Sequence, residues 1–308
     1  MQHYQFCDAC DLHGLPLQLL KKEGWVAVDT HFHTQYSLDA ISKIPAVLKR
    51  CRSTGVGVAI TDHNAVAGVP AIWKKKGDAF VVPGMELISH EGIHLVLLFY
   101  TPGEAVDFYK REIVKLKRKD DWFLPPSFVD LVHIAARYDC VRIAPHPFGP
   151  GAIGIEKYAS KKYSINKHAL THIHGIEVIN GCCLRKMNEH GLRWAATLDK
   201  GITGGSDGHS TIELGTVLTM AKADDVEGFL DAIKRKKTFV LGQEEDLYHD
   251  MMHTMQKFVT EQKKEKLSKS LHMLKERFGT EYDYLKDRVT HSSFWKHYHA
   301  HHTHPERK

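Results

Sequence analysis

The chain has 308 residues, of which 43% are hydrophobic and 26% are charged, a composition typical of a folded globular protein. This composition excludes collagen-like, low-complexity and disulfide-scaffold proteins. Six cysteines in a chain of this length fit a reducing compartment. Because the sequence has neither a run of about 18 apolar residues nor a signal-peptide pattern, we expect a cytoplasmic protein without a membrane span.

The net charge of +5 lies in the C-terminal part of the chain. Residues 251–308 contain twelve basic and seven acidic residues, so residues 1–250 are neutral overall. A neutral main domain argues against a broad nucleic-acid-binding face. A basic surface for a nucleic-acid partner is therefore predicted only in the C-terminal segment.

Short β-branched runs alternate with helical patterns between residues 25 and 242, which is typical of βα units around a mostly parallel sheet. In chain order, strands are predicted at 26–30, 57–61, 80–83, 93–99, 141–144, 175–179, 202–204 and 215–220, and helices at 44–52, 103–118, 128–138, 184–199 and 225–236. Seven or eight such units favour an α/β fold of the distorted (β/α)7 type, a TIM-like barrel, over an open doubly wound sheet.

The barrel is predicted to have an extension at each end, at residues 1–24 and 243–308. In the C-terminal extension, apolar residues recur at spacings of three and four, as on one face of a helix. They are Met251, Met255, Phe258, Leu267, Leu271, Leu274 and Phe278. This segment is therefore predicted to be helical and basic, with a His-rich tail, and to pack on the barrel or on a second subunit. A homo-oligomer formed through these helices is one expectation.

Histidines and carboxylates are concentrated at the predicted strand ends. They occur in DTHFHT at 29–34, TDHN at 61–64, GMEL at 84–87, GIH at 92–94, APHPF at 144–148 and GSDGHS at 205–210. Because the carboxyl ends of parallel strands converge on one rim of the sheet, these groups are expected to meet there.

The spacing of these residues indicates metal ligands. His31 and His33 are two residues apart at a strand end, so both rings point to the same face, and Asp207 and His209 repeat the pattern. Imidazole and carboxylate together suit Zn, Mn or Fe. The six histidines and three carboxylates exceed what one tetrahedral site uses, so we expect a centre of two to three divalent ions.

These motifs resemble those of the polymerase and histidinol phosphatase (PHP) superfamily of metal-dependent phosphoesterases. The resemblance rests on HxHTxYSxD at 31–39, TDHN, GMEL, APHPF and GSDGH, and extends over about residues 25–220. It implies a distorted barrel with three metals, and Glu86, Asp207 and His209 as catalytic residues. The implied ligand sets are His31, His33, Glu86 and Asp207 for the first metal, Glu86, His94 and His146 for the second, and Asp39, His63 and His209 for the third.

Other residues near these motifs are candidates for supporting roles. Asp62 precedes His63 and is predicted either to orient that ligand or to cap a strand end. Asn180 follows a predicted strand, and Arg185 and Lys186 come shortly after it. All three are candidates for substrate binding: Asn180 would position the substrate, and the charges of Arg185 and Lys186 would reach a substrate phosphate or begin a solvated helix.

The resulting prediction is a phosphoesterase that hydrolyses a phosphate monoester or a small nucleotide. Divalent cations lower the pKa of bound water from about 15.7 to roughly 7, which provides a nucleophile for attack at phosphorus. Two alternatives remain: a nuclease or oligonucleotide phosphodiesterase that uses the basic tail for backbone contacts, and a metal-binding regulatory module without turnover.

Overall fold

The computed structural model describes residues 3–6, 17–117, 122–149, 154–155 and 167–243. All the described strands and helices belong to one compact unit, residues 1–251. The predicted helical extension after residue 243 lies outside the described residues, so it stays a prediction.

Ten described strands form one sheet. They are β1 (His3–Phe6), β2 (Trp25–Phe32), β3 (Gly57–Ile60), β4 (Val81–Ile88), β5 (His94–Phe99), β6 (Cys140–Ala144), β7 (Gly175–Asn180), β8 (Gly201–Gly205), β9 (Val217–Lys222) and β10 (Phe239–Gly242). Their order is β1-β10-β9-β2-β3-β4-β5-β6-β7-β8. Strands β2 to β4 are mutually parallel, as are β6 to β8, and β5 runs antiparallel to both of its neighbours.

Eight described α-helices accompany the sheet. They are α1 (Leu17–Lys22), α2 (Ile44–Thr54), α3 (Gly68–Trp73), α4 (Pro102–Phe108), α5 (Phe128–Ala135), α6 (Lys167–Thr171), α7 (Arg185–Leu198) and α8 (Val226–Lys234). A π-helical turn, Tyr109–Ile113, continues α4. The longest of these helices has 14 residues, and no helix in the described part of the chain has the length and apolarity to cross a bilayer.

Helix α2 shows how the sequence produces these helices. Ile44, Val47, Leu48 and Cys51 are its buried residues, and their spacing of three, four and seven places them on one face. Gly55 then ends the helix with φ 79 and donates its N–H to the Cys51 carbonyl, because a glycine adopts this left-handed conformation without steric cost.

The sheet closes into a nearly complete barrel where β8 meets the end of β2. The Asp207 N–H donates to the His31 carbonyl at 2.8 Å, and the His33 N–H donates to the Gly208 carbonyl at 2.9 Å. The first half of β2 pairs instead with β9, antiparallel to it. Gly205 permits this seam, since a Cβ there would overlap the Cβ of His31 and lie 2.5 Å from its backbone nitrogen. The predicted barrel of seven strands, β2 to β8, is thus confirmed.

Three details of the fold differ from the prediction. Strand β4 continues to Ile88, beyond the predicted end at residue 83, and forms an antiparallel hairpin with β5 through a turn at Gly92, which has φ 80. The helix predicted at 103–118 changes to a π-helical turn after Phe108. Strands β1 and β10 and helices α1, α3 and α6 were not predicted, because each has only four to six residues and short segments carry little periodicity.

Candidate metal centre

The nine ligands predicted from the sequence lie together at one rim of the barrel. Eight of them are buried, with at most 9% of the residue surface exposed, and Asp39 is partly exposed. Strands β2, β4 and β5 and the segments that follow β2, β3, β6 and β8 carry these residues. They are His31, His33, Asp39, His63, Glu86, His94, His146, Asp207 and His209.

The first cluster contains His31, His33, Glu86 and Asp207, whose potential ligand atoms lie within 4.8 Å of one another. Oδ1 of Asp207 is 3.1 Å from Nε2 of His33 and 3.4 Å from Nε2 of His31. Oε1 of Glu86 is 3.3 Å from the same His31 nitrogen. This is the set that the resemblance implies for a first metal.

The second cluster is centred on Glu86. Its Oε1 lies 2.8 Å from Nδ1 of His94 and 3.2 Å from Nε2 of His146, and its Oε2 lies 2.9 Å from Nδ1 of His63. His63, Glu86 and His94 form the compact group. His63 is therefore a further residue that could hold a second metal, because the end of β3 lies beside Glu86.

The third cluster joins Asp39, His63 and His209, with His33 also in reach. Oδ2 of Asp39 is 2.9 Å from Nε2 of His209 and 3.4 Å from Nε2 of His63. The rings of His33 and His209 stack with centroids 4.4 Å apart. His33, His63 and Glu86 each belong to two clusters, so the three clusters form one continuous array.

The donor atoms of this array suit transition metals. Nε2 of His31, Nδ1 of His63 and Oε2 of Glu86 are buried and make no hydrogen bond, although the last two lie only 2.9 Å apart. Buried polar atoms are nearly always paired, so unpaired imidazole and carboxylate atoms that face one another fit coordination to shared cations.

Burial and neighbouring charges set the protonation of the ligands. Burial lowers the pKa of His33 to about 3 and the pKa of His94 to about 4, so both rings are neutral, as metal ligation requires. Burial also opposes the charged form of His63, but Asp39 and Glu86 outweigh it and raise its pKa to about 10. A metal must displace that proton, so metal affinity decreases as the pH falls.

Glu177 supports the centre and was not predicted from the sequence. Its Oε1 lies 3.1 Å from Nδ1 of His31, and its Oε2 accepts hydrogen bonds from the His146 N–H at 2.8 Å and from Nδ2 of Asn180 at 2.9 Å. A carboxylate that binds Nδ1–H of a histidine directs Nε2 to the metal. Only its position in the middle of β7, as an acidic residue between Ile176 and Val178, signals this role.

We expect Glu177→Gln to weaken metal binding about 10- to 100-fold, the usual effect of losing such a support. The amide replaces one acceptor oxygen with a donor, which then faces a second donor. Metal titration followed by activity measurement checks this. Glu189→Gln, on the exposed side of α7, is the matched control, and an unchanged titration in Glu177→Gln would remove Glu177 from the supporting shell.

Hydrogen bonds tie Asp62 and Asn180 into the structure around the array. Both oxygens of Asp62 accept hydrogen bonds from Thr34, from its N–H at 2.6 Å and its hydroxyl at 2.9 Å. These bonds hold the chain that follows β2, which is the geometry of a strand-end cap. A part for Asp62 in orienting His63 stays a prediction. The Asn180 side chain is buried, and its Nδ2 donates to Glu177 and, at 3.4 Å, to Oδ2 of Asp207. These bonds connect the two carboxylates.

Arg185 and Lys186, the basic residues predicted to contact a substrate, are the first two residues of α7. Lys186 is exposed and Arg185 is partly buried. Their contact with a substrate stays a prediction.

Three residues at the ligand rim have a strained backbone conformation. Asn64, His146 and Asp207 have φ of 47, 28 and 54, in the left-handed region that non-glycine residues rarely occupy. Such strain costs about 1–3 kcal/mol per residue and clusters at functional sites. At these three strand exits it turns the chain so that ligands and their neighbours face the array.

Comparisons with known proteins agree with this geometry. The model of the PHP domain matches residues 29–115, and the model of the PHP-associated region matches residues 186–238. No curated protein matches the sequence significantly.

Three solved structures illustrate the likeness in fold. A two-domain protein from Bacteroides vulgatus containing a predicted PHP-like metal-dependent phosphoesterase has a TM-score of 0.53 at 15% identity, covering 79% of this chain and 69% of its own. PsfC from Pseudomonas syringae has a TM-score of 0.55 at 17% identity, covering 77% and 99%. A lesion-specific endonuclease from Pyrococcus furiosus has a TM-score of 0.55 at 17% identity, covering 70% and 57%.

The family models together span the segments that carry most of the ligands, and the barrel is that of PHP-like proteins. Residues 29–115 are thus identified as a PHP domain, and residues 186–238 as a PHP-associated region.

Proposed function

We propose that the chain hydrolyses a phosphate monoester or a small nucleotide with the help of two to three divalent ions, of the Zn, Mn or Fe type. The observation that carries this proposal is the array of three clusters that share Glu86, His33 and His63 on one rim. Such an array holds neighbouring cations close enough to act on one phosphate group.

Glu86, Asp207 and His209 connect the three clusters. When bound, divalent cations lower the pKa of water and neutralise the charge that develops on phosphate oxygens. The two oxygens of Glu86 face different histidines, so this one carboxylate ties two positions together. Asp207 and His209 lie in the same short segment after β8 and connect the first cluster to the third.

Two side chains beside the array have the chemistry to bind substrate. The Trp122 ring stands edge-on to the His63 ring with centroids 5.9 Å apart, and its carbonyl accepts a hydrogen bond from Nδ2 of Asn64 at 2.7 Å. Nζ of Lys117 donates to the Asn64 carbonyl at 3.1 Å. An ammonium group recognises phosphate, and an indole stacks on a planar base, which supports a small phosphorylated substrate, including a nucleotide.

A nuclease is the second candidate. The P. furiosus endonuclease and an Endonuclease Q in complex with a 27-mer duplex carrying an abasic lesion share this barrel, at TM-scores of 0.55 and 0.54. Twelve basic residues in 251–308 would supply contacts to a nucleic-acid backbone.

Activity assays distinguish these candidates. We expect the Mn- or Zn-loaded chain to hydrolyse phosphate monoesters and mononucleotides, with rates that change little between low and high salt. Treatment with a chelator should abolish the activity. Preferential cleavage of oligonucleotides with a steep loss at high salt would favour the nuclease, and no turnover of monoesters, cyclic phosphates or oligonucleotides would favour a regulatory module.

A further inference from the structure

A second group of imidazoles lies outside the metal centre. His133 belongs to α5, His168 belongs to α6, and His172 follows the last residue of α6. One ring nitrogen of each lies within 4.8 Å of the others. The ring centroids of His168 and His172 are 5.1 Å apart, and each is 5.8 Å from that of His133.

The spacing of two of these residues suits a shared ligand. His168 and His172 are four residues apart, which places their side chains on one side of a helical turn. His133 approaches from a different helix. Three imidazoles from two chain segments form the ligand set of many zinc sites, in which a water molecule takes the fourth position.

An unpaired atom points to a ligand at this place. Nε2 of His133 is buried and makes no hydrogen bond. A buried nitrogen without a partner is costly in the absence of a ligand, and its neighbours are two more imidazoles. A histidine cluster held together only by packing gives no reason for this nitrogen to remain unpaired.

Charges near the three histidines favour some metal ions over others. Burial, His168 and Arg142 lower the pKa of His172, which favours the neutral form that binds metals. Nε of Arg142 donates to the His172 carbonyl at 2.7 Å, and its NH1 donates to three other carbonyls. This positive charge weakens binding of any cation, so ions with a high intrinsic affinity for imidazole, Zn²⁺, Cu²⁺ and Ni²⁺, are favoured over Mg²⁺ and Ca²⁺.

We propose that His133, His168 and His172 form a mononuclear transition-metal site, separate from the catalytic array and occupied by Zn²⁺ or a similar ion. The ion fixes α6 against α5. His172 is followed within three residues by Gly175, the first residue of β7, which carries Glu177. The site therefore stabilises the connection into the strand that supports the catalytic centre.

The test is zinc binding to the full chain and to His168→Ala and His172→Ala. After zinc loading and removal of loosely bound metal, each variant should contain one zinc ion fewer per chain than the unmodified protein, as measured by elemental analysis. The zinc-dependent rise in Tm should be smaller in both variants. Phosphoesterase activity with the catalytic centre loaded should remain, because neither residue belongs to that centre.

His90→Ala is the matched control, since His90 is 56% exposed and pairs only locally with Glu91. All three variants keep the His-rich tail, so metal held by the tail does not affect the differences between them. Zinc content and zinc-dependent Tm equal to those of the control in both His168→Ala and His172→Ala would overturn the proposal. His133→Ala is avoided because it removes a partly buried side chain and changes the packing of α5.

Discussion

Replacing Glu86 by glutamine should reduce phosphoesterase activity by at least about 100-fold, the loss typical of removing one essential electrostatic group from an active site. Glu86 is fully buried, and its two oxygens lie beside the nitrogens of His31, His63, His94 and His146. An amide is neutral and offers one acceptor instead of two. Elemental analysis of the purified variant should therefore also show fewer bound metal ions per chain.

The control for this change is Glu104→Gln. Glu104 is an exposed glutamate in the first turn of α4, where its side chain caps the helix. This helix follows the end of β5 opposite to His94. The Glu104→Gln protein should retain both the metal content and the phosphoesterase rate of the unmodified protein. A Glu86→Gln protein with unchanged metal content and rate would exclude Glu86 from the centre and would contradict the shared-carboxylate arrangement.

Replacing Gly205 by alanine should have the largest effect on stability. The added Cβ would overlap the His31 side chain at the seam between β8 and β2. Overpacking of this kind costs about 1–3 kcal/mol in free energy of unfolding, which lowers Tm by several degrees for a unit of this size. Displacement of His31 should also lower metal affinity, which thermal unfolding with and without added metal measures.

Gly103→Ala is the matched substitution. A Cβ at Gly103 meets only Oγ1 of Thr101, at 3.8 Å, and the residue lies in α4, where alanine is the better helix former. Its Tm should stay unchanged or rise slightly. If Gly205→Ala were as stable as Gly103→Ala and bound metal equally well, the close approach at the seam would not be needed for the barrel.

The sequence predicted the clustering of the site better than its details. His31 and His33 on one face of a strand, and the polar residues after successive strands, follow from two simple periodicities, those of the strand and of the parallel sheet. The sequence left two roles open for Asp62, because adjacency in sequence to His63 does not determine which way a carboxylate points. Its oxygens face Thr34, which lies 28 positions earlier in the chain.

The sequence patterns also could not predict the direction of β5. A strand entered at His94 looks the same whether it runs parallel or antiparallel to its neighbour, and only the turn between Ser89 and Gly92 decides. Because β5 is antiparallel, its first residue rather than its last reaches the ligand rim. Glu177 was missed for a related reason, since its importance depends on the His31 ring, which comes from a strand 146 residues away in sequence.

The seam between β2 and β8 links parts of the chain that are far apart in sequence, since His33 and Asp207 are separated by 174 residues. Few backbone hydrogen bonds hold it, and two of them come from the amides of His33 and Asp207, which are themselves in ligand residues. Local opening exposes such amides to solvent exchange, and an ion bound across the seam opposes that opening by mass action. The exchange rates of these two amide protons should therefore report directly how much metal the centre holds.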